Sequence, residues 1–327
     1  MKPHLLGLHH DHIDGSLAVV RILPELYRLS GVEMPFEIAE NAGNPHEFVK
    51  FFRDVHYDIV KKFGIVTAAL QTEEAIRSAV YEYARTRRAE GYTYVEAYLA
   101  PQYHTKGGLT MREAARAFVN ATQSTDFDLD IRVFPHICIG READVETGVE
   151  LARIALEYDG EAALNLVCDE AAHPPEKHLP AFQLTFGSKV RRDCHAGEWV
   201  AKEPAGTYAQ RLMKNVHTAI FDLRCDGVGH AIPLADYPET MKYMADHGIR
   251  VSGCPLSNLT TGAVKTLEEL RIPELLHRNI RYTLNPDDDF FLPQMPEVIE
   301  TCDAVFHFTE TEVAQLESNV FAGAFAP

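Results

Sequence analysis

The stretch LLGLHHDHIDGS, residues 5–16, starts as an apolar run and ends in histidines and acids closed by a glycine. Residues two apart on a strand share a face, so an extended run over Leu5 to His10 brings His10 and His12 to one side. Seven further runs rich in Val, Ile and Tyr follow, at 92–100 (YTYVEAYLA), 131–139 (IRVFPHICI), 163–168 (ALNLVC), 190–195 (VRRDCH), 227–230 (GVGH), 249–254 (IRVSGC) and 280–284 (IRYTL). Between them lie segments of helical periodicity, 72–90, 110–122, 143–158, 205–221 and 234–247, the first opened by Thr72 and Glu74 and stopped by Gly91. Eight such alternations predict an α/β fold, a closed (β/α)8 TIM barrel rather than an open sheet. The interval from His10 to Tyr92 exceeds what one crossover helix needs. A helical lid insertion after strand 1, at about residues 45–65 (PHEFVKFFRDVHYDIVKKFGI), is expected to fill it. Its Phe48, Phe51 and Phe52 read equally as core packing and as cover for a ligand.

A barrel of this kind accommodates all 327 residues as one domain, 1–327. The average composition excludes disorder, collagen and coiled coil. With 31 basic against 48 acidic residues the net charge is −17, which disfavours nucleic acid and anionic lipid surfaces as partners. The first residues lack the apolar length of a signal peptide, and no apolar run reaches a membrane span's length, so a soluble, cytoplasmic protein is expected. None of the six cysteines forms a CxxC pair, so reduced thiols rather than disulfides are expected.

The chemistry-bearing residues gather at predicted strand ends. His10, His12 and Asp14 follow the first run, His195 and Glu198 (HAGE) the fifth, His230 (GHA) the sixth, and Asp287 and Asp288 (NPDD) the eighth. An isolated HxH pair is weak evidence in a chain with 16 histidines. A barrel changes its weight, because all eight carboxyl ends converge on one mouth. Structural histidines have no reason to prefer strand ends.

The arrangement resembles the adenosine deaminase family of the metal-dependent amidohydrolase barrels. The resemblance runs through HHDHIDGS (9–16), PHEFVKFF (45–52), YVEAYLAP (94–101), DCHAGEW (193–199), GVGHA (227–231), CPLSN (254–258) and LNPDDD (284–289). It implies that His10, His12, His195 and Asp287 hold one catalytic Zn2+, or Fe2+, per chain. It implies Glu198 as proton shuttle, His230 as the residue that steers the attacking hydroxide, and Asp288 as a contact to the purine ring. Asp14, His12 and Cys168 then join the substrate-binding set, Asp14 through a ribose hydroxyl. The implied reaction is hydrolytic deamination of an aminopurine nucleoside, adenosine or a close analogue, to an inosine-type product and ammonia.

Chemistry asks for the same residue types. Replacing an exocyclic amine on an aromatic ring needs hydroxide at neutral pH, which a metal supplies by lowering the pKa of water toward about 7. The ring also needs a proton at N1 during attack, and the departing ammonia needs one too. Gly197 lets the chain curl so that Glu198 reaches the side of His195. For Asp288 to donate to purine N7, its carboxyl must be protonated, a state that neighbouring carboxylates favour.

The fourth run, ALNLVCDE, carries no lysine to bridge two metals, so one metal is favoured, and the absence of PCxxC excludes the small zinc deaminase fold. Asp14 favours a ribosyl purine, whereas APQYHT (100–105) has the flavour of free-adenine deaminases. Only Lys106 and Arg141 are near enough by strand order to meet a phosphate, which disfavours nucleotides. Two departures stand out: Tyr98 where many adenosine deaminases carry Arg, and Cys168 where the family usually has Gly. Free adenine, an N6-methylated purine, a 5′-altered or aminofutalosine-type nucleoside, and a purine-binding barrel without turnover remain alternatives.

Overall fold

The computed structural model describes residues 2–55, 57–200 and 207–326. Eight parallel strands follow one another around a nearly closed (β/α)8 barrel: β1 (Gly7–His12), β2 (Tyr94–Leu99), β3 (Arg132–Gly140), β4 (Ala163–Val167), β5 (Arg191–Ala196), β6 (Gly227–His230), β7 (Arg250–Gly253) and β8 (Arg281–Leu284). Each pairs with the next, and a bridge between Asp11 and Asp287 joins the last strand's end to the first strand. Every expected run forms a strand. The first lies two residues further along than expected, because β1 slips register between Leu8 and Asp11 and continues to His12. Such a bulge re-aims side chains locally.

The alternation in the strands has a plain cause. Val95, Ala97, Leu99, Val133, Ile137, Ile139, Leu164 and Leu166 belong to the large apolar cluster formed with the helices. The alternate residues enter the barrel, where they form separate layers. At the amino end, Tyr94, Phe134 and Ala163 pack with Phe325, which the C-terminal segment brings back under the barrel. Phe325 stacks on His136 at 5.5 Å and lies 3.5 Å beneath the Arg250 guanidinium.

Above it sits a buried charged layer. Arg250 donates to both Glu96 oxygens at 2.5 and 2.6 Å and to Asp193 Oδ2 at 2.8 Å, and His136 Nε2 lies 2.7 Å from Glu96. The Glu96 carboxyl is consequently held well below its usual range: burial opposes ionisation, and Arg250 and His136 outweigh it.

Six helices precede β2, among them Pro45–Asp54 and Ile59–Ala68, with His56 between them outside the described residues. Phe48 and Phe52 are fully buried in the core and Phe51 packs against it, so this aromatic trio is packing rather than ligand cover. The expected helix at 205–221 is seen from Tyr208 to His217 and continues as a wider turn to Asp222, while residues 205 and 206 lie outside the described part. Among the described residues, no helix is long and apolar enough to cross a membrane.

Removing one member of a fully buried ionic cluster leaves its partners charged and unpaired, so Arg250→Met is expected to cost about 3–5 kcal/mol of stability. Urea unfolding of the variant checks this; a loss below about 1 kcal/mol would mean that the layer carries little of the fold's stability.

Candidate metal centre and substrate cavity

His10 and His12 enter the barrel from β1, His195 ends β5, and Asp287 follows β8 in a left-handed conformation with φ 64°. His12 Nε2 and His195 Nε2 face each other at 3.3 Å, and Asp287 Oδ1 lies 3.3 Å from His10 Nε2 and 3.6 Å from His12 Nε2. All four donor atoms lie within 4.8 Å of one another. Two nitrogens bound at about 2.0–2.1 Å to one tetrahedral ion are about 3.3–3.4 Å apart, so the spacing fits a shared cation. His10 Nε2 is buried without a hydrogen-bond partner, as expected of a lone pair awaiting an ion.

The electrostatics favour the same reading. Burial pushes His12 down to about 3 and keeps His10 and His195 below the usual imidazole range, leaving the neutral form that binds metals. For Asp287, burial opposes ionisation, but the charge of His10, whose Nε2 faces it at 3.3 Å, then those of His230 and His12, hold the carboxyl well below its usual range.

Glu198 and His230 stand beside this cluster, with Glu198 Oε2 3.4 Å from His230 Nε2. His230 Nδ1 lies 2.9 Å from Asn258 Oδ1, which fixes the ring, and its Nε2 has no hydrogen-bond partner. Burial pushes the Glu198 carboxyl up to about 7, with His230 working against and Asp287 and Glu170 adding to the shift. Asp288 is held well above the usual range by burial and by Asp287, Asp14, Asp11 and Glu198. Its Oδ1 is buried and unpartnered. Burial alone pushes Asp14 up to about 7.

A cavity of about 990 Å³ opens from these groups. His12, Asp14, Cys168, His195, Glu198, His230, Asp287 and Asp288 all line it, so the sequence-derived set meets in one place, with His10 buried behind it. One wall is the helix Ile59–Ala68, through Ile59, Val60, Phe63 and Thr67. No Lys or Arg lines it among the described residues, whereas Glu142, Asp169 and Glu170 do. Arg141 instead lies buried and donates to the carbonyl oxygens of His195 and His173.

Both departures from the family pattern are resolved in the same region. Cys168 keeps a left-handed backbone, φ 77°, where glycine would be unstrained, and its Sγ lies 3.4 Å from the Tyr103 hydroxyl. Tyr98 packs its ring 5.0 to 5.7 Å from those of His10, His12 and His195 and donates to the His9 carbonyl at 2.6 Å. The buried cation of the barrel interior comes from Arg250 on β7. Glu96, His136 and Asp193 also bring donor atoms together, but the Arg250 guanidinium already bonds both carboxylates, so this trio is an ionic layer and not a second metal site.

One residue escaped the sequence reading. Glu170 accepts from the backbone N–H groups of Gly197, Glu198 and Trp199 at 2.8, 2.8 and 2.9 Å and from Asn215 Nδ2 at 2.8 Å. A single buried carboxylate thus clasps the turn that carries Glu198. Its only sequence signal was an acid just past the fourth strand; the partners lie 27 to 45 residues away.

A barrel with this donor set and this acid at its carboxyl end carries the parts of a metal-assisted hydrolase. Residues 6–327 match the family model described as adenosine deaminase, and the chain belongs to that family. It is similar to an adenosine deaminase of Clostridium acetobutylicum, 26% identical over 85% of this chain and 80% of that protein. Among solved structures it is similar to an adenine deaminase from Arthrobacter aurescens (TM-score 0.80, 22% identity, covering 100% of this chain and 95% of that one). It is also similar to the N6-methyl-AMP deaminase from Arabidopsis thaliana (TM-score 0.76, 18% identity, 100% and 93%).

Glu170→Gln replaces an acceptor of four bonds by a group that turns an NH2 toward donors. The expected outcome is an unchanged metal content with turnover reduced about 10- to 100-fold, the usual cost of losing an outer partner of a metal site. Metal analysis beside steady-state rates checks both halves; unaltered turnover would remove Glu170 from the clasp's function.

Proposed function

We propose that the chain hydrolytically deaminates an uncharged aminopurine nucleoside, with one Zn2+ held by His10, His12, His195 and Asp287. The observation that carries this reading is a cavity lined by His12, His195 and Asp287, with His10 behind them, and by Glu198, His230, Asp14 and Asp288, without any lysine or arginine among its described lining residues. Purine deamination is the chemistry of its family. The names of its relatives differ in substrate, so the choice among adenosine, adenine and a nucleotide rests on the cavity.

His10, His12, His195 and Asp287 would hold a divalent ion, which would lower the pKa of water toward about 7 and supply hydroxide at neutral pH. The remaining work falls to the chain. Glu198 is protonated up to about pH 7 and can give its proton to ring N1 as oxygen bonds to the adjacent carbon. His230, 3.4 Å from Glu198, orients the attack and shares in returning a proton to the departing amine. The proton of the added hydroxyl passes through Glu198 to the amine, the carbon–nitrogen bond breaks, a carbonyl forms on the ring and ammonia leaves. Asp288, kept protonated, donates to N7, and Asp14 accepts a ribose hydroxyl. The helix Ile59–Ala68, which walls the cavity, would cover one side of a bound ligand.

The acidic lining argues against anionic substrates. A phosphate or carboxylate would meet Glu142 and Asp169 with no lysine or arginine among the described lining residues to answer it. This disfavours a nucleotide and a carboxylated aminofutalosine-type substrate, and leaves adenosine, a neutral 5′-altered or N6-methylated nucleoside, and free adenine. Its free thiols suit the reducing cytoplasm.

Ammonia release from a panel of purines tests the reading: an uncharged nucleoside should be turned over, and AMP about 100-fold or more less efficiently, since a buried unanswered charge costs several kcal/mol. Glu198→Gln should retain the metal and lose about 100- to 10,000-fold in turnover. Preference for AMP, or full activity in Glu198→Gln, would contradict the assignment.

A further inference from the structure

The opposite end of the barrel holds a second concavity. A cleft of about 430 Å³ is lined by Arg191 at the start of β5, Arg224 before β6, Arg281 at the start of β8, and the exposed rings of Phe221 and Tyr243. Among the described residues one acid, Asp226, lines it, and that carboxylate is shared between Arg191 Nη1 at 3.3 Å and Arg192 Nη2 at 3.1 Å. In a chain of net charge −17, this local excess of guanidinium groups runs against the composition.

Each of the three side chains is held by one partner and keeps donors free. Arg281 gives Nη1 to the Gly248 carbonyl at 3.1 Å, and no carboxylate pairs with it among the described residues. Gly248 has φ 67°, and a Cβ there would stand 2.6 Å from Arg281 Nη1, so a larger residue would push this side-chain end aside. Arg224 lies 4.4 Å over the Phe186 ring, its backbone is left-handed with φ 52°, and its carbonyl accepts from Arg192 Nε at 2.7 Å. It too has no carboxylate partner among the described residues. Arg191 has the single Asp226 contact. Clustered guanidinium groups left with spare N–H donors suit an oxyanion with several acceptors.

We propose that this cleft binds a phosphate-bearing small molecule, its phosphoryl group taken by Arg224, Arg281 and Arg191 and any planar ring resting against Phe221 and Tyr243. The site is independent of the catalytic mouth, from which the buried Glu96–Arg250–Asp193 layer and Phe325 divide it. It is the reverse of the catalytic cavity in charge, so the two ends of one barrel discriminate oppositely for phosphate.

Calorimetric titration of the metal-loaded protein at low salt with AMP, inorganic phosphate and adenosine, in wild type and in Arg224→Gln/Arg281→Gln, tests this. AMP is expected to bind wild type and to bind the double variant about tenfold or more weakly, the scale of a lost charge-assisted hydrogen bond. Binding of inorganic phosphate by wild type with the same loss in the double variant assigns the recognition to the phosphoryl group alone; binding of AMP but not of inorganic phosphate by wild type assigns part of it to the aromatic wall. Gly248→Ala, which displaces Arg281 without altering charge, should weaken binding too, whereas Arg77→Gln/Arg153→Gln, of equal charge change on exposed helices, should not. Deamination by the double variant should match wild type, which shows that it is folded and keeps this question apart from that of the substrate. Absence of AMP and phosphate binding, or binding that survives in Arg224→Gln/Arg281→Gln, overturns the proposal.

Discussion

Arg87 holds the seam of the barrel. From the helix Glu73–Ala89 it donates to both oxygens of Asp11, at 2.8 and 3.2 Å, and to Asp289 at 2.9 Å. Asp11 stands between His10 and His12, and Asp289 is two residues past Asp287. One buried guanidinium therefore ties the first strand to the segment after the last, where the sheet has only the Asp11 to Asp287 bridge to close it. Asp289 passes the constraint on by accepting from Leu17 N at 2.6 Å. Three of the four converging donors owe their meeting to this junction. The fourth, His195, is set by Arg141 on its carbonyl and by the clasp of Glu170 on the turn that follows.

The barrel interior is built in layers that differ in dielectric character. An apolar floor containing Phe325 lies under a charged layer, which lies under the imidazoles and Tyr98. Tyr98 takes a position for which a positive charge was expected from the resemblance, and the cation enters from β7 as Arg250. Keeping that charge one layer lower lets the imidazoles stay neutral beside an aromatic ring. Neutral imidazole is the ligand form, so the exchange preserves what an ion would need.

Much of this was legible in the sequence, for identifiable reasons. Strands were readable because their helix-facing residues are Val, Ile, Leu and Ala, and the site because its residues sit where strands end. The barrel made those ends neighbours. The first strand's far limit is not legible in the sequence, since Asp11 and His12 look like loop residues until the polar interior is known. The aromatic residues 48, 51 and 52 could not be sorted between core and cover, because periodicity does not distinguish two apolar destinations. Glu170, Arg87 and Arg250 were invisible as partners: each acts on groups brought near only by closure, and nothing local in the chain announces it.

The central claim is that four side chains from three distant segments grip one ion. Anomalous diffraction at the zinc edge from crystals grown with zinc tests it most directly. The account predicts one peak coordinated by His10 Nε2, His12 Nε2, His195 Nε2 and Asp287 Oδ1, each at about 2.0–2.2 Å. A peak among other residues, such as His230 and Cys254, or none at this site with the metal bound elsewhere, would contradict it.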